Sequence, residues 1–492
     1  MKAIKRTMLR MAALTLAGCA VMGMSGCGSS SSSGANSVNS ATGPTIDAST
    51  GKRVAVSENA IAIFEEATKQ AKTDPKTAIE TFKKAAKAQS NFAEAYYNIG
   101  LLEQKLGNKN DARDAYETAL KMRPNLSAAQ TNLAKMLIDE GKPDEAEAAL
   151  LKIVDEKTGT DPYNVEANLN LGMIYRKRGE DILEKERGGS EPKFSMTGSE
   201  NRGEIKNKDA YNMFAKSISY VRRALASDSN NIYCYENLAA VYYAMNSLEV
   251  ARLVIDQAYI KYGEYNNILQ EDKAAGRITD QEYDQKVYTP KDLSAIYNTS
   301  GLIYLAEGEV SMGNAEFKKA VEADPTNISA MLNVAGIAVN VQDYQLAYDL
   351  YNKVLSLEPN NTEAYLSKGV AARGLNRLDE AETIYKDIMK NHPEYPQAWF
   401  NEIVLIQEYY QKVDEAREMW VKFSSDDTAN KVIPGRVAEA KERIKQIDEQ
   451  KEAERKNAEE ARKMEEKMEQ IRKMQEEYEK QQAAEEAAAG GN

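Results

Sequence analysis

Pro325, Pro359 and Pro393 lie 34 residues apart, and each closes a stretch with the same internal punctuation. A chain that repeats itself at this period folds as a stacked array of helix pairs. One unit alone cannot bury its apolar face. Stacked units can, and together they form a curved solenoid with a long inner surface of the kind that holds other proteins.

The register can be followed residue by residue. The unit from Ser294 carries Tyr297, Gly301, Tyr304, Phe317, Ala320 and Pro325. The next, from Ile328, carries Ala335, Ala347, Tyr351 and Pro359, and the third, from Thr362, carries Tyr365, Gly369, Ala381, Tyr385 and Pro393. A fourth begins at Pro396 with Trp399 and slips by one residue before Ala416 and Trp420. Upstream, a unit from Ala93 carries Tyr96, Gly100, Ala112, Tyr116, Ala119 and Pro124, and others begin near Ser127, Val165 and Ile232. A worn first unit shows only a second helix, through Ala78, Phe82 and Ala85. Small residues on both helices allow close approach, and the large aromatics fill the space between neighbouring pairs. The prolines fall after the second helices, which they cannot continue.

Over residues 57–425 this pattern resembles the tetratricopeptide repeat (TPR). The resemblance implies an all-α TPR helical-hairpin solenoid, a right-handed superhelix, here followed by a charged C-terminal helix. The sixth residue of the unit is usually asparagine: Asn98, Asn132, Asn170, Asn237, Asn333 and Asn401. Half-buried amides of this kind are expected to tie each unit to its neighbour rather than to hold a ligand.

The ends differ from the array. Lys2, Lys5, Arg6 and Arg10 precede an apolar run, Met11–Met24, too short to span a bilayer comfortably. Met24-Ser25-Gly26-Cys27 and a serine run follow, resembling a bacterial lipoprotein signal. The expected organisation is a signal peptide at 1–26, acylation of Cys27 and a flexible tether over 27–54. Leu16-Ala17-Gly18-Cys19 offers Cys19 as the alternative. Covalent diacylglycerol or acyl lipid on that cysteine is the only attached group expected, with no other cofactor and no metal. The implied location is the periplasmic face of a bacterial outer membrane. Cys234, alone in the remaining body, has no partner for an internal disulfide there.

Two segments interrupt the array. Residues 180–208 read as a loop inserted within a unit, dividing an N-terminal array over 55–262. Residues 263–292, with Gly263, Gly276 and Pro290, read as a helical spacer before a C-terminal array over 293–425. A capping helix is expected over 426–450, with Val437, Ile444 and Ile447 against the last pair, then a charged helix and disordered tail over 451–492. Beyond Gln450 the chain is polar nearly all round and reads as a solvated helix; Met464, Met468, Ile471 and Tyr478 make a short seam, under three full heptads, which leaves weak self-association through this helix as the alternative.

Nothing in the chain points to catalysis. The one histidine, His392, sits in a turn, and neither a P-loop nor a nucleophile elbow occurs. The net charge of −12 argues against nucleic acid. By the TPR pattern, the inner face would carry Tyr97, Gln104, Lys135, Arg176 and Tyr243 in the first half. In the second it would carry Leu302, Leu305, Leu332, Val339, Leu366, Val370, Phe400 and Val404. That second stripe is apolar for surface positions, so either a partner protein or the chain's own segment after Asp426 should cover it.

Ser247–Val254, Gly301–Tyr304 and Phe317–Ala323 also resemble TPR lipoproteins of the adventurous gliding-motility apparatus of myxobacteria and relatives. The resemblance implies a non-enzymatic scaffold for an envelope complex, whose partners are other envelope proteins and whose only membrane contact is its lipid. Two alternatives stand beside it: a pilotin-like lipoprotein for secretin or pilus assembly, and an adaptor recruiting polysaccharide or peptidoglycan enzymes.

Overall fold

The computed structural model describes residues 45–46, 53–54, 56–186 and 207–489. Cys19, Cys27, the signal segment, most of the expected tether and residues 187–206 of the expected insertion lie outside the described residues. Within the tether range, Thr45–Ile46 (β1) and Arg53–Val54 (β2) form a short antiparallel pair, Thr45 opposite Val54.

The rest is helical and falls into hairpins. They are α1 Glu58–Gln70 with α2 Pro75–Ala88, α3 Ala93–Lys105 with α4 Lys109–Met122, and α5 Ser127–Asp139 with α6 Pro143–Val154. There follow α7 Val165–Glu186 with α8 Lys208–Ser227, and α9 Ile232–Ala244 with α10 Leu248–Ala274. After α11 Asp280–Lys286 and a 3₁₀ turn at Pro290–Leu293 come α12 Ser294–Ala306 with α13 Val310–Ala323, and α14 Ile328–Asn340 with α15 Tyr344–Leu357. The chain continues with α16 Thr362–Gly374 and α17 Leu378–Asn391, then α18 Pro396–Val404 and α19 Val413–Ser424, and ends in α20 Asp427–Val432 and α21 Pro434–Ala489. Up to the last hairpin each helix packs chiefly on its hairpin partner and next on a helix of the neighbouring pair, the one-dimensional contact pattern of a solenoid, while α19 packs chiefly on α21.

Local chemistry sets this geometry. Two residues after Pro325 and Pro359, Asn327 and Asn361 cap α14 and α16 by accepting from the amides of Ala330 (3.0 Å) and Ala364 (2.9 Å). In seven of the hairpins one residue turns the chain with positive φ: Gly107, Gly141, Asn246, Gly308, Gln342, Asn376 and Gln411. From Gly308 to Asn376 these fall 34 residues apart, but Gln411 falls at 35. The extra residue is absorbed by a π-helical turn at Leu405–Tyr409, which accounts for the one-residue slip seen in the sequence.

The amide row ties units together. The Asn132 amide donates to the hydroxyls of Tyr97 (3.3 Å) and Tyr116 (3.4 Å) in the preceding unit. Asn333 donates to Asn298 at 2.9 Å, and Asn237 to Ser217 at 3.2 Å.

Four boundary expectations need correction. The first unit has its first helix: α1 buries Ala60, Phe64 and Ala67, and Phe64 meets Phe82 edge-on at 5.0 Å. Gly179 does not end α7, which runs on to Glu186; the glycine instead makes room for the Phe214 ring, 2.6 Å from where its Cβ would stand. Gly263 does not interrupt α10, because a helical glycine costs only about 1 kcal/mol and Tyr262 and Tyr265 on either side pack against Tyr288. The expected capping helix and charged helix are one continuous helix, α21, and the expected tail is helical as far as Ala489. Its Glu, Lys, Arg, Gln and Ala favour helix, and i,i+4 pairs such as Lys456–Glu452 and Lys463–Glu459 add to that preference.

The array also touches itself at long range. Lys72, just after α1, is 3.0 Å from Asp284 on α11. Glu184 near the end of α7 reaches a cavity walled by α14, α16, α18 and α21.

Candidate functional site

That cavity, of about 460 Å³, is the candidate site. Its walls are the first helices of three successive units and the start of α21. Val339 of α14, Leu366 and Val370 of α16, and Phe400 and Val404 of α18 supply the apolar surface. Ser367, Asn340, Gln397 and Asn401 are interspersed, and Tyr351 and Tyr395 stand at the wall. Burial pushes the Tyr351 phenol up to about 12, so it presents a neutral hydroxyl throughout the physiological range.

The rim carries both charges, Arg373, Arg436 and Arg443 against Glu184, Glu363, Glu408 and Glu439, with one acid in excess. Much of this charge is already spoken for. Arg443 pairs with Glu408 at 2.8 Å and Glu439 at 3.1 Å, and Arg436 with Glu439 at 2.7 Å. The Arg436 guanidinium lies 5.0 Å from the Phe400 ring centre and that of Arg443 5.5 Å from Trp420. Arg373 donates to the carbonyl and side-chain oxygens of Asn401, both at 3.4 Å. The arrangement suits an amphipathic protein segment, with its apolar side chains on the floor and its polar edge along the rim.

The residues expected along the inner face separate into three groups. Val339, Leu366, Val370, Phe400 and Val404 come together in the cavity. Phe400 and Val404 are nonetheless buried, at 6% and 5% exposure, in a cluster with Trp420, Phe423, Ile433 and Val437. The chain's own C-terminal segment therefore covers one end of the stripe and leaves Val339, Leu366 and Val370 half-buried at the open part. Leu305 is a core residue beside Phe317 and Val334, with Leu302 against the same cluster, and Leu332 packs against the neighbouring one. In the first half the expected residues are engaged elsewhere. Tyr97 is buried against Tyr116 at 5.8 Å, Arg176 is engaged by Glu236 at 3.3 Å, and Tyr243 is half-buried against the central core. Reading by repeat position missed Glu184, which arrives from a distant turn of the array, and the arginines of α21, which belong to no repeat.

Cys234 is fully buried, and burial raises its thiol pKa far above the ordinary range, as fits a packing residue. Among the described residues no helix is long and apolar enough to cross a membrane.

One buried acid behind the groove gives a pH signature. Glu402 on α18 is 2% exposed, with one carboxylate oxygen 3.9 Å from the Lys386 ammonium and the other unpartnered. Burial raises its pKa to about 7; Lys386 opposes this, while Glu382 and Glu415 add to it. The folded protein thus holds this proton more tightly than the unfolded chain, whose value is near 4.5. The contribution to stability is full below pH 4.5, declines as pH rises to about 7, and is flat above. Glu402→Gln should therefore gain stability over the parent at pH 8, by up to about 3 kcal/mol, and gain little at pH 4.5. Thermal melts of both proteins at the two pH values check this; equal gains at both would contradict it.

Sequence profiles of the tetratricopeptide repeat match residues 97–162 and 338–399. The uncharacterized protein ycf37 of Pyropia yezoensis is 33% identical over 84 residues, 17% of this chain and 47% of its own. Photosystem I assembly protein Ycf3 of Synechococcus sp. strain WH7803 is 32% identical over 103 residues, 20% of this chain and 57% of its own. The chain thus spans roughly half the length of these two curated relatives. Among solved structures, Pseudomonas aeruginosa pilF aligns with a TM-score of 0.35 at 17% identity, over 58% of this chain and 94% of its own.

Proposed function

We propose that this tetratricopeptide-repeat protein is a non-enzymatic scaffold that holds a segment of a partner protein in the groove of its last three units. The observation that carries the reading is the open apolar floor at Val339, Leu366 and Val370, which α21 borders without covering. TPR arrays work through protein contacts, and in this one a groove of suitable size is already formed.

The scaffold acts at a bacterial cell envelope, tethered by lipid on Cys27, or on Cys19 in the alternative processing. Support for this rests on the residues themselves: a basic stretch, a short apolar run and small residues before each cysteine. An acyl chain together with a serine-rich tether would hold the array near the outer membrane and leave its groove accessible from the periplasm. Among envelope machines, the similarity in Ser247–Val254 favours the gliding-motility apparatus.

The test is photo-crosslinking in native envelopes from a reactive residue placed at position 370, with outward-facing, 55% exposed Leu253 as control. Adducts to a second protein are expected from 370 and not from 253. Val370→Asp should reduce partner capture by about tenfold or more, because an ionised side chain on that floor must be desolvated on binding. It should leave the melting temperature nearly unchanged, since Val370 is only half-buried. Exclusively intramolecular products from 370 would refute the groove reading. Alkyne-palmitate labelling of the parent and of Cys27→Ser and Cys19→Ser variants tests the anchor separately.

A further inference from the structure

We propose that the free arm of α21 pairs with the same arm of a second copy of this chain, antiparallel and in one register. The last contacts of α21 with the body are Arg417–Asp448 and Lys451–Asp414. From Glu452 to Ala484 every side chain but Glu469 is exposed. Met464, Met468, Ile471 and Tyr478 are exposed large apolar side chains, at 63%, 59%, 41% and 62%. With Ala461 and Gln475 they occupy alternating steps of four and three residues, the a and d positions of a two-stranded coil.

Charge decides the orientation. Numbering Ala461 as an a position places Glu465 and Arg472 at e, and Glu460 and Lys467 at g. In a parallel pair each g residue meets the e residue five positions later on the other helix. Glu460 would then face Glu465 and Lys467 would face Arg472, and symmetry makes each repulsion occur twice. In an antiparallel pair e meets e and g meets g. Centring the pair between Met468 and Ile471 sets Arg472 against the other copy's Glu465, twice, and leaves no like-charged pair on either flank. The same register sets Met468 against Ile471 and the small Ala461 against the large Tyr478. Sliding by one heptad one way puts Glu465 against Glu465; the other way puts Arg472 against Arg472. One arrangement alone satisfies both packing and charge.

In the single chain Arg472 is held by Glu469 on its own helix at 2.9 Å. That pair is solvent-exposed and contributes little, so the guanidinium is available to exchange it for Glu465 of the second copy. The seam is only about three heptads long, so the association is reversible and concentration-dependent.

Sedimentation equilibrium of the full chain over a concentration series tests the proposal. The parent should pass from monomer to dimer. Arg472→Glu alone and Glu465→Arg alone should each weaken the dimer by about fivefold, since each places like charges opposite one another at two symmetric sites. The double variant Glu465→Arg/Arg472→Glu should return to parental affinity. A parallel pair would respond with the opposite sign, because either single change removes a repulsion there. Tighter association of the single variants, or a parent that stays monomeric throughout and leaves the seam to some other protein, would overturn the proposal. Far-ultraviolet circular dichroism of the single variants should match the parent and so separate lost pairing from lost helix.

Discussion

Gly100→Val is expected to destabilise the array by about 3 kcal/mol or more, whereas Gly263→Ala should stabilise it by about 0.5–1 kcal/mol. Both glycines lie inside helices, so helix propensity alone would make both substitutions favourable. The difference is what a new carbon would meet. A Cβ at Gly100 would stand 2.5 Å from the Tyr116 ring, which is fully buried, while at Gly263 nothing lies within 4 Å. The same pairing recurs sixteen residues apart at Gly301 with Phe317 and Gly369 with Tyr385, where the added carbon would come within 2.6 and 2.7 Å of the ring. It is the joint of these three hairpins. Denaturant melts of the two single variants give the signs. A double-mutant cycle of Gly100→Val with Tyr116→Ala should show less than additive loss, because removing the ring makes room for the valine. Strict additivity would mean that the clash is not the cause.

Removing residues 427–492 should cost on the order of 5 kcal/mol and melt the last hairpin, while removing 452–492 should leave the melting curve unchanged at concentrations where the parent is monomeric. The first deletion strips Ile433, Val437, Ala440 and Ile447 from a cluster that encloses Phe400, Trp420 and Phe423. It also breaks the two-pronged Arg417–Asp448 pair, at 2.5 and 2.8 Å. Among the described side chains, Glu452 to Ala484, the second deletion removes only exposed ones apart from Glu469. Because each solenoid unit leans on its neighbours, the damage should begin at α18–α19 and weaken towards the N-terminus. Trp399 and Trp420 both lie in the affected cluster, so their fluorescence reports it directly. A red shift and a lower midpoint for the longer deletion alone are expected; a native-like spectrum after the longer deletion would show that α20–α21 is not a structural cap.

The helix pairs were legible because proline, small residue and aromatic recur at fixed separations, and those separations are a packing geometry written as spacing. Helix starts at Ser294, Ile328, Thr362 and Pro396 coincide with the unit starts read from the chain. Single glycines were poorer guides. The expected insertion and spacer begin at or just after glycines, yet Gly179 accommodates Phe214 and Gly263 is carried through by flanking tyrosines. A glycine marks a break only where nothing else holds the helix, and that information lies elsewhere in the chain. Of the groove, the α14 and α16 residues followed from repeat position. What buries Phe400 and Val404 was one of two covers the sequence left open, the segment after Asp426, and Val437, Ile444 and Ile447 were its only sign of a docking face. Glu184 was invisible: the curvature of the whole array, not a local pattern, brings it near Tyr395.

The contact between Lys72 and Asp284 joins places 212 residues apart through a single exposed ion pair. Such a pair contributes at most about 1 kcal/mol and weakens further in salt. The superhelix therefore resembles a spring with a feeble clasp, soft along its axis although each coil is stiff. Its pitch should lengthen as ionic strength rises, giving the molecule compliance that a globular body of the same mass would lack.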